Sequence, residues 1–75
     1  MSEQLIRRVL QGDHVVATVR CYDDPTGTLV EAEITPTKGA EAVRRGPYRF
    51  GSAHEAFRFV QEAMLAFEYL GCSIG

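Results

Sequence analysis

The chain has 75 residues, 45% of them hydrophobic and 24% charged, with a net charge of −2. Such a composition is globular and excludes a disordered chain. Its acidic balance (pI ≈ 5.6) excludes a global basic field for nucleic acid.

A single domain is expected over residues 1–75. A domain of this size buries only about 60% of its unfolded surface, so a disulfide, a metal or a partner subunit would widen its margin.

Residues 2–12, SEQLIRRVLQG, admit two readings. Leu5, Ile6, Val9 and Leu10 suit a two-turn helix capped by Ser2 and ended by Gly12. The other reading is a strand that turns at Gln11-Gly12 or Gly12-Asp13 into the next strand. The strand is favoured, because so short a helix is marginal without packing.

Residues 14–22, HVVATVRCY, predict a strand. Val15, Ala17, Val19 and Cys21 alternate to one face, and His14, Val16, Thr18, Arg20 and Tyr22 to the other. DDPTGT follows, where Pro25 and Gly27 supply turn chemistry. Residues 28–36, TLVEAEITP, return with Val30, Ala32 and Ile34 inward and Glu31 and Glu33 outward. Pro36 ends that strand or lies on an edge.

Matching the apolar faces pairs Cys21 with Val30, Val19 with Ala32 and Ala17 with Ile34. The same register sets Arg20 opposite Glu31 and leaves Asp24 to Gly27 as the loop. Residues 37–47, TKGAEAVRRGP, form a long connection in which AEAVRR is expected to make one helical turn. Tyr48, Arg49 and Phe50 then predict a short edge strand with Phe50 facing the core.

The stretch 51–71 reads as one helix with a signal at each end. Ser52 and Glu55 have capping-box spacing. Ala53, Ala56, Phe57, Val60, Ala63, Met64 and Phe67 fill one apolar stripe, the core face. Gly71 fits the position after the C-cap, and a Schellman stop would bring Cys72 against Phe67. The fold class is therefore α+β: an antiparallel sheet of three or four strands packed against one long C-terminal helix.

Catalytic and metal-ligating candidates are poor. Cys21 and Cys72 are too few for a secreted disulfide framework and are expected as buried free thiols. His14, His54 and the cysteines show no zinc spacing. Both histidines are expected to be solvated, since no nucleophile pairs with them. Asp23 and Asp24 read as turn residues beside Pro25. No nucleophile elbow or phosphate loop occurs. Neither an enzyme nor a cofactor is expected. With no leader pattern and no apolar run near a membrane span's length, a cytoplasmic protein without membrane contact is expected.

Two features remain. RRGPYRF, residues 44–50, interleaves Arg44, Arg45 and Arg49 with Tyr48 and Phe50. Such a segment could contact phosphate and stack on a base, or meet an acidic partner surface. The helix also carries more apolar side chains than its core stripe needs. Phe59 lies at the stripe's edge and can simply widen the core. Leu65 and Tyr69 lie opposite the stripe, among Arg58 and Glu62. Together with Phe59 and Ala66 they define a candidate contact patch.

The pattern Ser52-x-x-Glu55-Ala56-Phe57, with Glu62-Ala63-Met64 seven residues on, resembles the helix of HicB-like antitoxin domains. That resemblance implies a short antiparallel sheet ahead of a capped helix. The chain departs from the family after its second strand. It has TPTKGAEAVRRGP where that family places Pro-Asp-x-Pro-Gly. It also lacks the tryptophans of the MbtH-like proteins, another small sheet-and-helix family.

The expected function is a protein–protein interaction or self-associating module, a homodimer or the companion of another protein. Its contacts would run through Phe59, Leu65, Ala66 and Tyr69, with Arg44, Arg45 and Arg49 as a polar rim. The alternative is a small nucleic-acid-binding or antitoxin-like regulatory module that uses Arg44, Arg45, Tyr48 and Arg49.

Overall fold

A computed structural model describes residues 2–75, with side chains from Leu5 onward. The elements in chain order are β1 (Ser2–Gln11), β2 (His14–Asp24), β3 (Gly27–Ile34), β4 (Val43–Phe50), α1 (Ala53–Tyr69) and β5 (Ser73–Ile74). The strands form one antiparallel sheet in the order β4-β3-β2-β1-β5. The chain is α+β, with a sheet followed by a capped helix, as both the periodicity and the resemblance imply.

The first segment is the strand. A ladder with β2 decides it, setting Leu5 opposite Cys21, Arg7 opposite Val19 and Val9 opposite Ala17. Those positions share the face that carries α1, and Ile6 and Arg8 take the other. The β2–β3 register is the one that matching apolar faces requires, with Cys21 on Val30, Val19 on Ala32, Ala17 on Ile34 and Arg20 on Glu31.

Four expectations are corrected. The sheet has five strands, because the chain leaving α1 pairs Ser73 and Ile74 with Leu10 and Val9. The β2–β3 loop is only Pro25-Thr26, since Asp24 and Gly27 still pair. AEAVRR is not helical: Val43, Arg44 and Arg45 belong to β4 and lie opposite Ile34, Glu33 and Ala32. His14 is half-buried rather than solvated, and its Nε2 donates to the Thr35 carbonyl (2.8 Å).

The short β2–β3 turn is held by Asp24. Its Oδ1 accepts the Thr26 amide (2.7 Å) and the Thr26 hydroxyl. These bonds hold its carboxyl below the usual carboxylate range. The ionised form is therefore the one that stabilises the turn. That contribution is present above the unfolded pKa of about 4 and is lost as pH falls through the lower folded value. Asp24→Ala is expected to destabilise the chain at pH 7, with the gap to wild type narrowing at pH 3 in urea denaturation. A gap of constant size would show that the charge does not matter.

The core lies between one sheet face and α1. Val9, Ala17, Val19, Cys21, Val30, Ala56, Val60 and Met64 are buried there. Phe67, Phe50, Ile34 and Cys72 pack around them. Phe57 departs from the expected stripe and is 39% exposed, at its edge. Both cysteines are free. Burial, and then the Asp23 carboxylate, push the Cys21 thiol up, so it stays protonated and behaves as an apolar residue.

The ends of α1 lie where the sequence sets them, though only the Ser52 half of the capping box bonds a backbone amide. Ser52 Oγ accepts the Glu55 amide (3.2 Å), and its hydroxyl donates to the Glu55 carboxylate (3.3 Å). At the other end the Cys72 amide donates to the Phe67 carbonyl (3.1 Å) and the Gly71 amide to that of Glu68 (3.0 Å). This is the Schellman pair, and Gly71 takes the positive φ of 90° that it requires.

Candidate interaction surfaces

One helix is about 10 Å across, whereas five strands span roughly 19 Å. A single helix therefore leaves sheet uncovered on both flanks, and its own outward side is unpartnered within the chain.

That outward side changes character along its length. In the first half, His54, Glu55, Arg58 and Glu62 are all exposed, and Arg58 pairs with Glu62 at 3.5 Å. An exposed pair of this kind adds only about 0.3–0.5 kcal/mol. From Ala63 to Leu70 the sequence is AMLAFEYL, with Glu68 its only charge. Met64 and Phe67 turn to the core. Leu65, Tyr69 and Leu70 are left 51%, 90% and 74% exposed, with Ala66 exposed among them.

Leu65, Ala66 and Tyr69 are thus brought together in the last two turns. Phe59 is set apart. Its ring stacks at a tilt on Phe50 (5.2 Å between centroids) and Tyr48 (6.0 Å), which fastens α1 to β4. It is still 41% exposed, at the patch's far end. Leu70 is the residue that the helical stripe missed. Gly71 marks Leu70 as the cap, outside the regular helix, and that signal was present in the sequence.

The basic segment lies on edge strand β4, which spreads it across two faces. Arg44 lies opposite Glu33 on the face away from α1 and pairs with it at 3.6 Å. Arg49 shares that face, opposite Leu29. Arg45 and Tyr48 lie opposite Ala32 and Val30, on the α1 side. Between them Gly46 and Pro47, joined by a cis peptide, bulge against the single residue Glu31.

The face away from α1 carries charges of both signs. Arg20, Glu31, Glu33 and Arg44 border a shallow polar hollow of about 120 Å³. Desolvation, and then the Glu31 carboxylate, push the neighbouring Tyr22 phenol up, so it remains a hydrogen-bond donor.

On the flank opposite β4, a larger groove of about 460 Å³ runs between α1 and the β1–β5 edge. Its apolar wall is Leu5, Phe57, Met64 and Ile74, and Arg7 and Glu68 stand at its rim.

Among the described residues, no group of three or more His, Cys, Asp and Glu side chains converges on a metal-sized site. No described helix is long and apolar enough to cross a membrane. Comparison with protein-family models, curated proteins and solved structures finds no match for this chain.

Proposed function

We propose that this chain is a non-enzymatic protein–protein interaction module of the cytoplasm that holds another protein against the last two turns of α1. The observation that carries this reading is the contiguous exposure of Leu65, Tyr69 and Leu70 around Ala66. Single exposed apolar side chains are normal, but a contiguous apolar patch marks a contact surface. Tyrosine is among the residues that dominate interface energies. Glu68 is the only charge from Ala63 to Leu70, which suits an apolar partner face with a basic flank. Two free thiols agree with a reducing compartment.

Phosphate recognition by Arg44, Arg45, Tyr48 and Arg49 has less support. β4 divides these residues between two faces, and Arg44 already holds Glu33.

The test is Leu65→Glu combined with Tyr69→Glu. Both positions are exposed, so the variant is expected to melt within a few degrees of wild type. It is also expected to lose a partner that wild type retains on affinity capture from native cells. Equal capture by the two proteins would remove the helix face from the reading.

A further inference from the structure

We propose that the groove between α1 and the β1–β5 edge is a small-molecule site that takes a zwitterion with an apolar body, a large apolar amino acid. This goes beyond the helix-face reading and uses neither Leu65 nor Tyr69.

The groove exists because α1 crosses the sheet without lying on β1. The helix packs on β2, β3, β4 and β5. β5 in turn pairs only with Val9 and Leu10. Leu5 and Arg7, on the α1 side of β1, therefore face the helix across open space. That space is about 460 Å³. It falls within the roughly 300–1,000 Å³ of small-molecule sites, which are mostly apolar with a few placed polar groups.

The groove sorts by chemistry along its length. Leu5 and Phe57 line the end away from β5, with Val60 and Met64 behind them. Phe57 presents a large ring that is half in water. Arg7 and Glu68 line the end beside β5. Arg7 neighbours Val9 on its face of β1, and Val9 pairs with Ile74. Glu68 comes from the last turn of α1, on the opposite wall.

These two charges share one groove without pairing. Among the described residues the ion pairs are Arg44–Glu33 and Arg58–Glu62. The Arg7 guanidinium donates to the Ile6 carbonyl at 3.2 Å, and its remaining N–H donors are available. Glu68 stands at the negative end of the helix dipole, where a cation is favoured. The pair therefore calls for both signs on one ligand, a carboxylate for Arg7 and an ammonium for Glu68. A ligand with a single charge would leave one of them opposed. An α-amino acid carries both groups on one carbon, and two long exposed side chains can close on a head of that size. Its apolar side chain then lies along Met64, Phe57 and Leu5, where an aromatic ring gains ring and sulfur contacts.

Titration of the isotope-labelled full chain with L-phenylalanine at pH 7, read from backbone amide shifts, tests this. Saturable shifts centred on Leu5, Arg7, Gln61 and Glu68 are expected, with a Kd of about 1 mM or tighter. Phenethylamine lacks the carboxylate and phenylpropionate lacks the ammonium, and each should bind at least about tenfold more weakly. Arg7→Gln should weaken L-phenylalanine by a similar factor without weakening phenethylamine. Glu68→Gln should do so without weakening phenylpropionate. Both positions are exposed, so both variants should stay folded. Leu65→Glu/Tyr69→Glu should bind L-phenylalanine as wild type does. No saturable shift up to about 10 mM would overturn the proposal. So would shifts centred outside the groove. Equal binding of either single-charge analogue would also overturn it, in favour of a simple amphiphile. Equal binding of N-acetyl-L-phenylalanine amide would overturn it in favour of a peptide chain.

Discussion

Gly46→Ala is expected to destabilise the chain by about 2–3 kcal/mol, a large share of what so small a domain holds. Gly46 has φ = 91°, and a Cβ there would stand 2.8 Å from the Val30 carbonyl oxygen and 3.0 Å from the Tyr48 amide nitrogen. Those atoms are backbone, so no side-chain rotation relieves the contact. Val30 is buried at the centre of the core, and a shift of β3 would disturb Cys21 and Val60 together. Gly39→Ala is the matched control, because φ is 85° there and nothing lies within 4 Å of the added Cβ. It should cost only the backbone preference, about 1–2 kcal/mol. Urea denaturation of both variants separates the steric part from the conformational part. Equal losses would mean that β3 gives way freely and the bulge is not closely fitted.

Met64→Ala is expected to cost about 2–4 kcal/mol, the range for emptying a large buried side chain. Met64 is 6% exposed and lies on the same helix face as Ala56 and Val60, over the buried valines of the sheet. A chain of this length holds on the order of 4–11 kcal/mol in all, so the variant should be marginal at 37 °C. Leu65→Ala, one residue on but half in water, should change stability by less than about 0.5 kcal/mol. A loss at Leu65 as large as that at Met64 would contradict the division between core stripe and outer face.

The sheet's centre and the helix ends were legible because each rests on local chemistry. Two period-two strands match their apolar faces in only one way around Cys21 and Val30, and Ser52 and Gly71 are the residues that helix ends require. β1 was ambiguous for a physical reason. Leu5, Ile6, Val9 and Leu10 satisfy a helical and an extended spacing alike, and only the ladder with β2 distinguishes them. β5 is two residues long and has no pattern to read. It exists because the Schellman stop returns the chain beside Leu10. RRGPYRF punctuates like a loop, yet Gly46-Pro47 are tolerated as a bulge because β4 lies at the edge.

The candidate surfaces divide in the same way. Leu65 and Tyr69 could be marked from the helical wheel, since the residues that share their face, Arg58 and Glu62, are charged. Phe59 could be set apart at the edge of the core stripe, but its ring partners Phe50 and Tyr48 are tertiary and had no signal in the helix itself. The β1 groove is wholly tertiary, its wall assembled from β1, α1 and β5.

Photocrosslinking in native cells from a probe at position 69, run beside a probe at Arg20 on the open sheet face, tests the interaction-module reading most directly. The reading predicts a discrete adduct with another protein from position 69, none from position 20, and loss of the adduct in Leu65→Glu. Adducts from neither position, or equally from both, would contradict it.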